Sequence, residues 1–144
     1  MNSDSMKELL EYLIVTYNAE GRVTFEILEN EGIQDYQVIE EFINYFRKYG
    51  VKIAIDDFGS GYSNFKIIMS INPDYIKFDG SLIKNIDTDS YSYLIVKNLV
   101  KFAKELNIKT IAEFVHSKEV FDTCNYLGVD YFQGFYISKP KKDI

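Results

Sequence analysis

Apolar residues recur along the chain with two alternating periods. In "SMKELLEYLIVTYN" (5–18), Leu9, Leu10, Leu13 and Ile14 fall at helical spacing behind Ser3 or Ser5, which predicts a capped first helix. "RVTFEIL" (22–28) then predicts a strand from its β-branched and aromatic content. "DYQVIEEFINYFRKYG" (35–50) gathers Val38, Ile39, Phe42, Ile43 and Phe46 on one helical face and closes on Gly50. The same alternation continues to the carboxyl end. Strand "VKIAI" (51–55) is followed by helix "YSNFKIIMSI" (62–71), which Asn72-Pro73 ends, and by strand "DYIKF" (74–78). Helix "SYSYLIVKNLVKFAKELN" (90–107) precedes strand "KTIAEF" (109–114). A helix from Ser117 as N-cap to Gly128 then leads into strand "VDYFQGF" (129–135).

Strands separated by helices of this length connect as right-handed parallel crossovers, so the chain is an α/β protein with about five parallel strands and flanking helices. An open doubly wound sheet and part of a (β/α) barrel both fit this order. Both place functional groups at the carboxyl ends of their strands.

Those ends carry ionisable or polar residues in every unit. The first strand has Glu26, with Glu29 just beyond; the second Asp56 and Asp57; the third Lys77 and Asp79; the fourth Glu113; the fifth Gln133. Burying a charge is expensive unless it is paired or bound to metal, so five successive strand ends of this kind point to one site. The plainer alternative is that Lys77 pairs with one carboxylate and the other groups face solvent. Several carboxylates around one point repel each other, and hard divalent cations take all-oxygen sites of this type. Neighbouring strand residues face opposite ways, yet a chain that turns at the strand end lets Asp56 and Asp57 reach one site or bridge two ions. Such a site activates water for in-line displacement at phosphorus, with Lys77 acting as a fixed charge.

Composition narrows the partners. The 144 residues are 47% hydrophobic and 16% aromatic, enough for one domain with a core. A formal net charge of −6 weighs against a nucleic-acid polymer or an acidic membrane surface, and no apolar run approaches membrane length. The single cysteine, Cys124, sits in a helical pattern and reads as a small buried apolar residue, consistent with a reducing cytoplasmic setting.

Five segments, "VTFEILEN", "KIAIDDFGSGYSNF", "PDYIKFDGSLI", "KTIAEFV" and "DYFQGFYISKP", in this order and spacing resemble the carboxy-terminal portion of the EAL-domain family, phosphodiesterases that linearise cyclic di-GMP. The resemblance implies a TIM-like (β/α) barrel that is incomplete here, with residues 1–144 as its carboxy-terminal portion. The amino-terminal part, including the Glu-Ala-Leu motif and an asparagine on the next strand, is absent. It implies Glu26 and Asp56 as metal ligands, with Asp57 at a second metal, the ions being Mg2+ or Mn2+. Lys77 and Glu113 would position or activate the attacking water, Gln133 would support the site, and Glu29 would anchor a flexible loop containing Phe58, Gly59, Ser60 and Gly61. Cyclic di-GMP would be the partner and linear pGpG the product. Missing ligands imply weak or no activity for this chain alone.

Three positions depart from the family pattern: Phe114 stands for a glycine beside Glu113, His116 for a glutamate, and Ser60, a milder change, for the commoner threonine. Phe114 could crowd the substrate, while His116 reads as a surface residue at the entry of a helix. Five strands of a barrel leave two open sheet edges, which predicts a homodimer through them, or pairing with the missing half or other domains of a parent protein. Two other readings remain: an inactive EAL-like module that binds cyclic di-GMP or a protein, and a receiver-like phosphorylation switch. A receiver shares the size, the acidic doublet and a Lys139-Pro140 dipeptide, but carries its doublet on the first strand and not the second.

Overall fold

A computed structural model describes residues 3–28, 35–59 and 65–139. In chain order the elements are α1 (Ser3–Thr16), β1 (Thr24–Leu28), α2 (Tyr36–Arg47), β2 (Lys52–Phe58), α3 (Phe65–Ile71), β3 (Tyr75–Phe78), α4 (Gly80–Ile83), α5 (Ser90–Glu105), β4 (Lys109–Ala112), α6 (Lys118–Leu127) and β5 (Tyr131–Phe132). The alternation matches the reading of the sequence, with one addition. The short helix α4 was not anticipated: four residues are too few to display a period, and its only advance notice is Asp79, whose carboxylate accepts from the Ser81 amide at 2.8 Å as an N-cap. The last two strands are shorter than the sequence implied, so Glu113 and Gln133 each lie one residue past their strand.

All five strands pair in parallel in the order β1-β2-β3-β4-β5. This order decides between the two architectures. A doubly wound sheet reverses its strand order at a switch point and carries helices on both faces; unbroken sequential order with right-handed crossovers puts the helices on one face, as in a barrel wall.

Burial follows the pleat. The face carrying Phe25, Ile53, Ile55, Ile76, Phe78, Thr110 and Ala112 meets the helices and holds the core, into which Ile43, Phe46, Ile67, Ile68, Val96, Val100, Val120 and Cys124 project. Phe46 is fully buried and its ring meets Phe25 edge-on at 5.2 Å and Phe42 at 4.9 Å. The opposite face is less covered. On β1 it exposes Thr24, Glu26 and Leu28, and on β5 Tyr131, whose ring packs against Tyr75 at 6.1 Å. The site stands on this second face.

Cys124 is fully buried, as its helical spacing predicts, and α6 runs from the Ser117 cap to Gly128 at φ 88°, a left-handed closure that favours glycine. Helix α1 differs from expectation. Of its apolar residues Ile14 is buried and Leu10 packs on the core, while Leu9 and Leu13 are exposed. The helix docks on α2 through polar contacts: Glu11 accepts from the hydroxyls of Tyr45, at 2.7 Å, and Tyr49, and the Lys7 ammonium lies 3.6 Å from the Tyr45 ring centre.

The amino ends of the strands are stitched by a repeated device. Asp74 and Asp130 each precede a strand, and each carboxylate reaches back to the neighbouring strand. Asp74 Oδ2 accepts from the Ile53 amide at 2.8 Å and Asp130 Oδ2 from the Thr110 amide at 2.8 Å. Each aspartate amide returns a bond to the same partner's carbonyl, and a lysine next to that partner, Lys52 or Lys109, faces the carboxylate at 3.7 or 3.9 Å.

Candidate active site

Strand register brings the functional side chains to the opposite, carboxyl ends. Ile55 pairs with Ile76 and Phe58 with Phe78, so two residues of β2, Asp56 and Asp57, stand opposite Lys77 alone. This is a β-bulge, which re-aims a side chain by inserting one residue. Asp57 takes a left-handed backbone, φ 54°, at that step. The combination overrides the alternation of a regular strand, and the two adjacent carboxylates reach the same place: Asp56, Asp57 and Glu113 each offer an oxygen within 4.8 Å of the others.

Lys77 lies at the centre of this acidic group. It is 7% exposed, and its Nζ stands 2.9 Å from Glu26 Oε1, 2.9 Å from Glu113 Oε1 and 3.5 Å from Asp56 Oδ1. Burial by itself would lower the ammonium's pKa, but the hydrogen bonds of Glu113 and Glu26 and the charges of Glu113 and Asp56 outweigh it and hold Lys77 above the usual lysine range. Burial raises Glu113 above the ordinary carboxylate value despite its bond to Lys77. Asp57 is raised too, first by burial and then by the charges of Asp56 and Asp79. Protons are held tightly on these carboxyls because the site is partly buried and, second, because its acids outnumber Lys77.

Such a donor set suits a hard divalent cation: three carboxylates converge, all ligand atoms are oxygen, and a second cation would relieve the repulsion that raises Asp57. Among the sequence-predicted ligands, Asp56 and Asp57 belong to the converging trio. Glu26 stands beside it, half exposed and bound to Lys77, and Glu113 is the third member. Gln133 is exposed at the rim; its backbone N–H donates to the Ala112 carbonyl at 2.9 Å and its backbone carbonyl accepts from the Val115 N–H at 3.0 Å.

The glycine loop needs one correction. Phe58, read from the sequence as part of a flexible loop, is the last residue of β2 and fully buried, its ring edge-on to Phe65 at 5.6 Å; an aromatic that fills the core beneath the strand cannot move with the loop. Gly59 begins the departure. Its φ is 90°, a backbone that favours glycine, and a Cβ there would lie 2.3 Å from Leu82 Cδ1 and push that side chain aside. Ser60, Gly61 and the loop anchor Glu29 lie outside the described residues.

Sequence reasoning missed the shape that Phe114 and His116 give the rim. Phe114 adopts a left-handed φ of 57° and is 68% exposed, its ring lying against Gly80. His116 is exposed just before the Ser117 cap, as expected, and its Nε2 is 2.8 Å from the Lys84 carbonyl oxygen. Both contacts fall on α4, the element whose brevity hid it.

Comparison with known proteins identifies the family and the fold. The EAL domain model matches residues 1–140. The cyclic di-GMP phosphodiesterase PdeB of Shewanella oneidensis is 36% identical over 83% of this chain, and the match covers 14% of that protein's length. The solved EAL domain of Mycobacterium smegmatis DcpA superposes with a TM-score of 0.89 at 28% identity, covering 97% of this chain and 63% of that one. The Klebsiella pneumoniae BlrP1 complex with manganese and cyclic di-GMP superposes with a TM-score of 0.86 at 31% identity, covering 96% and 36% respectively. The chain therefore spans a small fraction of its curated relative and about two thirds of a solved EAL domain, in the TIM-barrel-like architecture that its strand order indicates. Residues 1–140 match throughout, and the chain belongs to the EAL-domain family.

Proposed function

We propose that this chain carries the carboxyl-rim half of a metal-dependent phosphodiesterase site for cyclic di-GMP, hydrolysing one phosphodiester to linear pGpG when the rest of the barrel is present. The observation that carries this reading is the bulge that brings Asp56 and Asp57 together with Glu113 around Lys77. In this reading Glu26, Asp56 and Asp57 hold Mg2+ or Mn2+, which supplies charge neutralisation at the phosphate. Lys77, as a fixed charge, and Glu113 position or activate the attacking water, Gln133 supports the site, and Glu29 anchors the loop from Gly59 to Gly61. The acidic protein and the anionic substrate are compatible because the cation lies between them.

Residues 1–144 serve here as the carboxy-terminal portion of an EAL-like domain, acting in the cytoplasm, and the edges of β1 and β5 pair with a second copy or with the remainder of the barrel. No helix among the described residues is long and apolar enough to cross a membrane. Alone, the chain is expected to turn over cyclic di-GMP weakly or not at all.

Calorimetric titration with Mn2+ tests the metal site: saturable binding is expected, lost in Asp56→Asn. Absence of binding, or binding unchanged by that substitution, overturns it. Chromatographic detection of pGpG tests the activity, and turnover at the rate of a full EAL domain contradicts the expected weakness.

A further inference from the structure

Phe114 combines three properties that seldom occur together. A side chain in the left-handed region costs about 1–2 kcal/mol relative to ordinary backbone, and Phe114 sits there at φ 57°. Its ring is 68% exposed, so burial returns little of that cost. It nevertheless has a defined seat. A Cβ on Gly80 would fall 2.3 Å from Phe114 Cδ2 and 2.9 Å from Cγ and Cε2, so the ring rests on the bare backbone of Gly80, and any larger residue there would displace it. Two residues later the His116 ring meets the Lys84 carbonyl at 2.8 Å, tying the same segment to the far end of α4.

A scattered exposed phenylalanine is ordinary, but one in a strained backbone conformation with its ring laid on a glycine is not. Its position gives the reason. Phe114 follows Glu113, whose carboxylate belongs to the cluster around Lys77, so the exposed ring stands at the rim where β3 and β4 end. A nucleotide whose phosphate is held at the carboxylates extends its flat base outward along that rim. Aromatic rings bind bases of any identity by stacking, and a ring already seated on one side loses less freedom in doing so.

We propose that Phe114 is a stacking platform for a purine base of the nucleotide ligand, seated on Gly80 and braced by His116. The inference rests on the reading of the site as one for cyclic di-GMP. Phe114 would then fix the orientation of the ligand about its phosphate, leaving the chemistry to Lys77 and the carboxylates.

The chain contains no tryptophan, so Phe114→Trp places a single indole at the platform. Titration of this variant with cyclic di-GMP in Mn2+, and separately with guanosine alone, is expected to quench the indole saturably. Met69→Trp, at an exposed position on α3, is the control that should not quench saturably. In parallel, calorimetry of the wild type, Phe114→Leu and Phe114→Tyr with cyclic di-GMP should show affinity reduced on the order of tenfold by leucine and restored by tyrosine. Unchanged affinity in Phe114→Leu together with an unquenched indole overturns the platform while leaving the phosphodiester reading intact. A wild type that fails to bind cyclic di-GMP overturns that reading, and the guanosine titration then decides the platform by itself: a saturable quench supports it and none refutes it. Circular dichroism spectra matching the wild type establish that each variant is folded.

Discussion

Replacing Lys77 by methionine keeps the length of the side chain and deletes its charge. Each 2.9 Å pair that Lys77 makes, with Glu26 and with Glu113, carries about 6 kcal/mol of Coulomb attraction at an effective dielectric near 20. Desolvation cancels much of this, since the lysine side chain is only 8% exposed. What decides the outcome is the state of the partners left behind. The Glu26 side chain, 51% exposed, is free to turn to water, but Glu113 is 14% exposed and stays beside Asp56 and Asp57 without a cation. Orphaning one charge of a buried pair costs about 3–5 kcal/mol, and the partial access of this site puts the expected loss near 3 kcal/mol.

The sign with pH follows. Burial already raises Glu113 above its unfolded value, and losing Lys77 raises it further. The folded variant therefore binds more protons than the unfolded one between the two pKa values. Its deficit is small below the unfolded carboxylate range, grows as pH rises towards the raised folded value, and is constant above it. Urea unfolding followed by circular dichroism, from acid to neutral pH and with or without Mn2+, measures this. A divalent cation restores positive charge, so Mn2+ at about 100 times its dissociation constant should return about 2.7 kcal/mol to a folded protein that binds it. A variant as stable as the wild type at neutral pH without metal, or one whose deficit shrinks as pH rises, would refute the reasoning.

Two further outcomes test the remainder of the fold. Asp130→Ala strands the amide and hydroxyl of Thr110, a fully buried residue, and should lower stability by about 2 kcal/mol, whereas Asp122→Ala removes only an exposed pair with Lys118 and should change it by less than about 0.5 kcal/mol; equal effects in urea titrations would contradict this. Burial pushes the Cys124 thiol up to about 12, so a disulfide reagent at neutral pH should leave the native protein unlabelled and modify it after unfolding, and native labelling at the rate of a free thiol would show the core misassigned.

Much of the architecture was legible because Val, Ile and Phe change period at each element, and Gly50, Asn72-Pro73 and Gly128 punctuate the changes. The rim was legible as well, since charges at successive strand ends are too costly to persist there unless they meet one another or a cation. What escaped the sequence depends on neighbours. The bulge at Asp56 and Asp57 is a relation between β2 and β3 and has no marker within either strand. The exposure of Leu9 and Leu13 reflects which side of α1 is covered, which periodicity does not specify. The clasps of Asp74 and Asp130 left a trace that went unused: both aspartates precede a tyrosine at the start of a strand, and Lys52 and Lys109 stand at matching places in the units before them. The strand ends thus divide their labour. Carboxylates at the amino ends hold backbone and serve stability, while those at the carboxyl ends hold Lys77.

The bulge also makes the acidic doublet a matter of counting. Changing either aspartate to another residue leaves the two-against-one register with Lys77 in place and alters only the chemistry of one position. Removing one residue of the pair erases the extra step. The strand then resumes strict alternation, with Ile55, the remaining aspartate and Phe58 standing one for one against Ile76, Lys77 and Phe78, so Phe58 keeps its place in the core and a single carboxylate is left facing Lys77. The extra residue therefore serves the site alone: it gives the rim a second carboxylate while the core-facing positions on either side keep the register they would have without it.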